Sequence, residues 1–270
     1  MRVGATTYRE TLLSLLYPGN YTSLEALIPA VLTAEEFLYI TPDQRHRIIW
    51  RVDGGFGSDA NLRWLIERDY HIVAKGFSWK RAAAWARRVT HWVEIRPGRW
   101  IAWAPYQLDL GRPTRIVVVR WLTSKGKVRH ALYITTLLGL SLLAIAEVYD
   151  DRGGAEAEIG SDVVGLKLTH RRSQKMLSQE ALILLTDLAH NLLAWFHHDL
   201  LLDTRFAGYG PKRIIHQLLC IPGELVFDGE TLVEVRLKQS HFLAEPMLDC
   251  LVRLWEDDET LVPIVTNGTE

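Results

Sequence analysis

“RIIWRVDGGFGSDANLRWLIERDYHIVAKGF”, residues 47–77, is the stretch whose reading decides the fold. Ile48, Ile49, Trp50 and Val52 form an apolar run of strand length that ends at Asp53 and a cluster of glycines. Ser58 or Asp59 can cap the helix predicted over “ANLRWLIERDY”, and “HIVAKGF” reads as a second strand. Strand, helix and strand in that order imply a right-handed βαβ unit with a parallel strand pair. The acid at the first strand's end is therefore either a turn-former or a group that chemistry needs.

Length and composition bound the answer. A chain of 270 residues, 48% hydrophobic and 23% charged, has the make-up of a folded α/β protein of one large domain or two smaller ones. Its two cysteines, Cys220 and Cys250, are too far apart for a metal knuckle and too few for a disulfide framework, which fits a reducing cytoplasm. No secretory signal pattern opens the chain, and “ALYITTLLGLSLLAIA” (131–146) reads as a strand and a buried helix rather than a membrane span. The net charge of −1 hides an asymmetry: residues 76–130 hold 12 Lys/Arg against 2 Asp/Glu, and residues 224–270 hold 3 against 11. Such a basic segment can track phosphates, and solvated surface charge is the plain alternative.

Along the chain, a strand-like run ends in the turn Pro18-Gly19-Asn20, and a helix follows with Ser23 as its expected N-cap and Pro29 as its expected kink or break. Residues 79–121 carry six of the ten tryptophans, a short basic helix and strands broken by Pro-Gly and Gly-Arg-Pro. That segment reads as a β-rich insertion, its tryptophans either the core of a small sheet or platforms for a base. “SQEALILLTDLAHNLLAWFHHDLL” (178–201) is expected as a fully buried helix with His197 and His198 at its end, and Asp228-Gly229 as a hairpin turn before a final acidic helix.

Three readings of Asp53 stand side by side. Gly55-Phe56-Gly57-Ser58-Asp59-Ala60 fits G-x-G-x-x-A, which would make the chain a dinucleotide-dependent oxidoreductase, although Asp53 and Asp59 would face the pyrophosphate. A turn and cap role is the second. The third needs a partner carboxylate, and “EVYDDRGGAEAEIGSDVVGLKL” offers one: Tyr149, Arg152 and Glu156 share a face if one helix runs through Gly153-Gly154.

Tyr, two residues, Arg, three residues, Glu resembles the signature of insertion-sequence DDE transposases of the Tyr-Arg-Glu-Lys subgroup. “YRETLLSLLYPGN”, “RVDGGFGSDANLRWL”, “AKGF”, “YDDRGGAEAE” and “LAHNLLAW” resemble successive blocks of that family across roughly residues 5–200. The resemblance implies an α/β, ribonuclease-H-like mixed sheet flanked by helices, with a β-rich insertion before the last catalytic helix. It implies Mg²⁺ (or Mn²⁺) held by Asp53 and Glu156 as catalytic acids, and cleavage and joining of double-stranded transposon ends and target DNA. Arg152, Lys167, Arg171 and Arg172 would support DNA phosphates, Tyr149 would hydrogen-bond near the site, a homodimer is expected, and no membrane is involved.

Two departures qualify this. The family's first acid lies upstream of “YRETLLSLLYPGN”, whereas the first Asp here is Asp43, and the family's N-terminal DNA-binding region is missing. The expectation is an N-terminally truncated transposase, inactive as it stands. The signature lysine's place holds Val163, with Lys167 one turn on. The expected domains are a partial core over 1–78, a DNA-contacting insertion over 79–130, the rest of the core over 131–205 and a C-terminal hairpin and helix over 206–270. A remnant that binds DNA or pairs with an intact transposase without cutting is the alternative, in the cytoplasm and on the nucleoid when bound to DNA.

Overall fold

The computed structural model describes residues 1–6, 9–151, 153–167, 174–256 and 264–268, with backbone alone for 153–158, 254–256 and 264–268. The described chain forms two compact units, one of Met1 and residues 15–154, the other of residues 2–14 and 155–270.

Two short antiparallel strands, β1 (Arg2–Gly4) and β2 (Thr11–Ser14), belong to the second unit. The first unit starts with α1 (Ser23–Phe37), whose N-cap is Thr22 rather than Ser23: the Thr22 hydroxyl accepts from the Glu25 amide, and the Glu25 carboxylate accepts from the Thr22 amide at 2.8 Å. This reciprocal pairing satisfies two of the helix's orphan donors, and the helix runs on through Pro29. Strand β3 (Ile49–Val52), helix α2 (Asp59–Glu67) and strand β4 (His71–Lys75) form the expected unit, with β3 and β4 parallel. Ser58 caps α2 by accepting from the Asn61 amide at 3.2 Å.

Helix α3 (Trp79–Ala86) leads into an antiparallel meander of β5 (Val93–Arg96), β6 (Arg99–Trp103), β7 (Arg115–Leu122) and β8 (Val128–Thr135). These strands continue the sheet of β3 and β4, in the order β3-β4-β8-β7-β6-β5, so the segment read as an insertion extends the central sheet. Alternation along β7 and β8 builds two cores. Ile116, Val118, Leu132 and Ile134 meet Leu62, Leu65 and Ala82 on one face. Val117, Val119, Ala131 and Tyr133 meet Ile145 and Ala146 of α4 (Leu142–Asp150) on the other. Fully burying a leucine such as Leu62 contributes roughly 1.5–3 kcal/mol. A mixed sheet with helices on both faces is the ribonuclease-H-like arrangement that the resemblance implies.

The second unit contains α5 (Gly153–Gly165), α6 (Met176–Phe196) with a π-helical continuation over His197–Leu201, the short α7 (Pro211–Arg213), and a hairpin of β9 (Gly223–Asp228) and β10 (Thr231–Lys238). Gly229 turns that hairpin at φ +59°. Helix α8 (Ala244–Glu256) and strand β11 (Ile264–Gly268), parallel to β10, complete it. Helix α6 departs from the expectation of full burial. Ile183, Asp187, His190 and Leu193 are buried, while Leu177, Leu184, Leu185, Leu188 and Leu192 are exposed. Its leucines surround the helix, and only one stripe meets the unit's core.

The buried stripe explains how the N-terminal hairpin is held. Arg2 donates to Asp162 at 2.5 Å and to Asp187 at 2.6 Å, and Asp162 is fully buried. His190 places Nδ1 2.9 Å from Asp162 and Nε2 2.9 Å from the Arg9 carbonyl. Both partners are acceptors, so both ring nitrogens donate and the imidazolium is the form that fits. Burial alone lowers the His190 pKa, but the Asp162 hydrogen bond, the Arg9 carbonyl and the Asp162 charge outweigh it and leave the pKa raised. A raised folded pKa contributes stability below the unfolded value of about 6.5 that is lost as pH rises through the folded pKa. His190→Leu is expected to cost roughly 1–3 kcal/mol near pH 6 and less near pH 9. Thermal melting of both proteins across that range checks it, and a pH-independent gap would mean that His190 does not titrate with folding.

Candidate active site

The loop after β3 must cross the end of β4, and the sequence provides glycine there. A Cβ on Gly57 would lie 2.0 Å from the Lys75 carbonyl oxygen, so only glycine lets the backbones approach this closely. The Phe77 amide donates to the Gly57 carbonyl at 2.8 Å, and the Phe56 amide to the Asp53 carbonyl at 2.9 Å. These bonds fix a tight turn directly after Asp53. The G-x-G-x-x-A pattern is thus used for packing strand against strand, and Asp59 at the helix start is paired with Arg81 at 2.6 Å.

Three consecutive residues at the C-terminal end of α4 tie it to the sheet, the first of them at this turn. The Tyr149 hydroxyl donates to Asp53 Oδ1 at 3.2 Å. Asp150 accepts from Arg99 of β6 and, at 3.1 Å, from the Tyr133 hydroxyl of β8. Asp151 accepts from Arg51 of β3 at 2.7 Å. The Tyr133 and Tyr149 rings lie 4.0 Å apart between centroids, and burial pushes the Tyr133 hydroxyl's pKa well up, so it stays a neutral donor.

Beside Tyr149 opens a pocket of about 430 Å³ lined by Lys75, Arg96, Arg99, Trp121, Tyr133 and Tyr149, among others. The Lys75 stem packs over Gly54, 3.3 Å from where a Cβ would stand, and its ammonium lies 6.0 Å from the Trp121 ring. Arg99 is already paired with Asp150, which lines the same pocket, so Lys75 and Arg96 with the three aromatic rings are what suit it to a phosphate-bearing, partly planar ligand.

The other sequence candidates divide as follows. Tyr149 and Glu156 do not share one continuous helix, because α4 ends at Asp150 with Asp151 as C-cap and α5 starts at Gly153. Glu156 lies in α5 in the second unit, and its side chain is outside the described residues. Arg152, Arg171 and Arg172 are also outside them. Lys167 is exposed just past α5, at φ +56°. Of the tryptophans in residues 79–121, Trp79 and Trp103 are exposed. His198 lies 2.8 Å from Asp199, and His197 hydrogen-bonds the Ala207 carbonyl. Among the described residues no three His, Cys, Asp or Glu side chains are grouped to hold a metal ion.

Sequence reasoning missed Arg51, Lys75, Arg99, Tyr133 and Asp150. Arg51 left a signal, a charged residue inside an apolar strand. Asp150 stood in plain view in the Tyr-Asp-Asp block.

With this geometry in hand, comparison with known proteins adds one finding. A family model described as “Transposase DDE domain group 1” matches residues 8–256. No curated protein matches the chain.

Gly57→Ala is expected to destabilise the chain by roughly 3 kcal/mol or more, since the Lys75 backbone cannot yield as a side chain would. Gly19→Ala, with nothing within 4 Å of its added Cβ, should stay within about 0.5 kcal/mol of the parent. Urea unfolding of the two variants checks the contrast.

Proposed function

Because the chain belongs to the DDE transposases, DNA-acting polynucleotidyl transferases, we propose that it serves DNA transposition by metal-dependent cleavage and joining of transposon ends, with Asp53 as one metal-holding acid. One observation carries this reading. The hydrogen bond from Tyr149 to Asp53 joins the tyrosine of the Tyr-x-x-Arg-x-x-x-Glu block to the acid of the Asp-Gly-Gly-Phe-Gly block, 96 residues apart.

The donor chemistry fits a hard divalent cation. Mg²⁺ takes oxygen ligands, keeps several waters and needs few carboxylates when phosphate completes its shell. Asp53 offers such oxygens on a strand end, and Glu156 is the second ligand on the strength of the resemblance. Bound ions would activate the attacking water or 3′-hydroxyl and stabilise the leaving oxygen of the phosphodiester. The residues of the chain do the rest. Tyr149 orients the Asp53 carboxylate, as outer-shell donors orient metal ligands. Lys75 and Arg96 offset phosphate charge in the adjoining pocket, and Arg152, Lys167, Arg171 and Arg172 extend that role along the DNA.

β3 is the terminal strand of its sheet among the described residues. A further strand pairing on that edge would bring another acid beside Asp53, which is where the resemblance puts the first one. The second reading, a partner that binds DNA or an intact transposase without cutting, draws on the basic character of residues 76–130.

The test is Mn²⁺-dependent nicking of supercoiled plasmid by the 270-residue chain and by a longer chain extended upstream, each beside its Asp53→Ala variant. The longer chain is expected to nick and to lose nicking with Asp53→Ala. Tyr149→Phe should lower its rate by about 10–100-fold, the usual effect of losing an outer-shell partner. Salt-dependent DNA binding without nicking in either chain would favour the non-catalytic reading, and neither binding nor nicking would sink both.

A further inference from the structure

The sheet's two faces diverge at the end of β7. Trp121 turns toward the pocket beside Tyr149, and Arg120, one residue earlier, turns to the opposite face. There Trp100, Arg120 and His130 stand directly opposite one another across β6, β7 and β8, a single rung of three side chains. The Arg120 guanidinium is stacked between two indoles, 4.4 Å from the Trp92 ring centroid and 4.6 Å from that of Trp100. Its Nε is buried and has no hydrogen-bond partner.

A guanidinium covered on both faces can still donate only in its own plane, where its five N–H groups form a rigid fork matched to phosphate or carboxylate oxygens. Around that fork Arg87, at the end of α3, and His130 line a pocket of about 320 Å³ together with Trp92 and Trp100. No carboxylate lines it. Glu94, opposite Trp100 on β5, accepts from the Gly98 amide at 3.1 Å. A half-buried guanidinium against two indoles, with its Nε unpartnered and cations for neighbours, is a favourable place for an anion.

We propose that Arg120, with Arg87 and His130, forms a second phosphate site for the DNA strand, on the face of the sheet opposite Asp53 and independent of any metal. The proposal rests on the DNA-acting reading above and deepens it by assigning a grip that positions DNA without taking part in cleavage. Burial, then the charges of Arg120 and Arg87, hold the His130 pKa below its ordinary value. A bound phosphodiester reverses that charge effect and draws a proton onto His130, so DNA binding tightens as pH falls.

The experiment is binding of a labelled random-sequence duplex of about 20 base pairs to the full chain in EDTA, by fluorescence anisotropy across a salt series. Arg120→Gln and Arg87→Gln should each weaken binding several-fold and flatten the slope of log affinity against log salt by about one. His130→Gln should remove the tightening between about pH 7.5 and about pH 6. Arg87 is exposed, so its variant keeps the test valid should Arg120→Gln fail to fold. Unchanged affinity and slope in the folded variants overturn the proposal. So does equilibrium dialysis in which radiolabelled inorganic phosphate binds the parent and not Arg87→Gln while duplex affinity stays the same, since the pocket then takes a free anion. Loss of duplex binding in these variants from a chain that never nicks plasmid supports this site while sinking the catalytic reading.

Discussion

The backbone contact between Gly57 and Lys75 is the constraint on which the candidate site depends. Because no side chain separates the β3 loop from the end of β4, the chain turns sharply after Asp53 and enters α2 within a few residues. That turn leaves the Asp53 carboxylate where the Tyr149 hydroxyl reaches it. The same end of α4 is tied to β6 and β8 through Asp150 and to β3 through Asp151. A carboxylate on a strand end, braced by a helix that is itself held at three points, keeps its position when a charged ligand arrives.

Much of this fold was legible because it is written in periodicity. The apolar run before Asp53, the amphipathic “ANLRWLIERDY” and the Asp228-Gly229 turn each carry a local signal that packing has no reason to override. The misreadings have physical causes. Pro29 was read as a kink or a break, and the break is absent: Thr22 and Glu25 make a strong cap upstream and the helix proceeds past the proline. That the β-rich residues 79–130 extend the central sheet was not legible, because strand pairing is non-local and nothing local says that β8 pairs with β4. Helix α6 looked buried because leucine occurs all round it, and composition does not tell which stripe faces a core.

The site was legible in part. Asp53 and Tyr149 were singled out through the family resemblance and are hydrogen-bonded to each other, but the surrounding contacts are tertiary, between residues far apart in sequence. Arg99 reaches Asp150 across 51 positions, and Arg51 reaches Asp151 across 100. No window of sequence contains both members of such a pair. The two glycines at 153 and 154 lie at the start of α5, while α4 ends at Asp150.

Of the 12 Lys/Arg in residues 76–130, Lys80, Arg88, Lys125, Lys127 and Arg129 are exposed surface charge, and the rest resolve into two kinds. Arg81 is consumed by Asp59, Arg99 by Asp150, Arg112 by Asp69 and the Tyr70 carbonyl, and Arg115 by the Leu140 carbonyl and the Trp103 ring. These cations hold the sheet together and say nothing about a partner. Arg87, Arg96 and Arg120 make no ion pair among the described residues, and they lie in the two pockets on opposite faces of the β6–β8 strands. Strand alternation sends Arg120 one way and Trp121 the other, so a single stretch of β7 supplies a cationic donor to one face and an aromatic wall to the other. A polyanion held on both faces would be gripped at two places whose separation is set by a rigid sheet rather than by flexible loops. The charge asymmetry of the sequence therefore gains a functional meaning only after the structural pairs are subtracted, and what remains is sorted by the two-residue period of a β-strand.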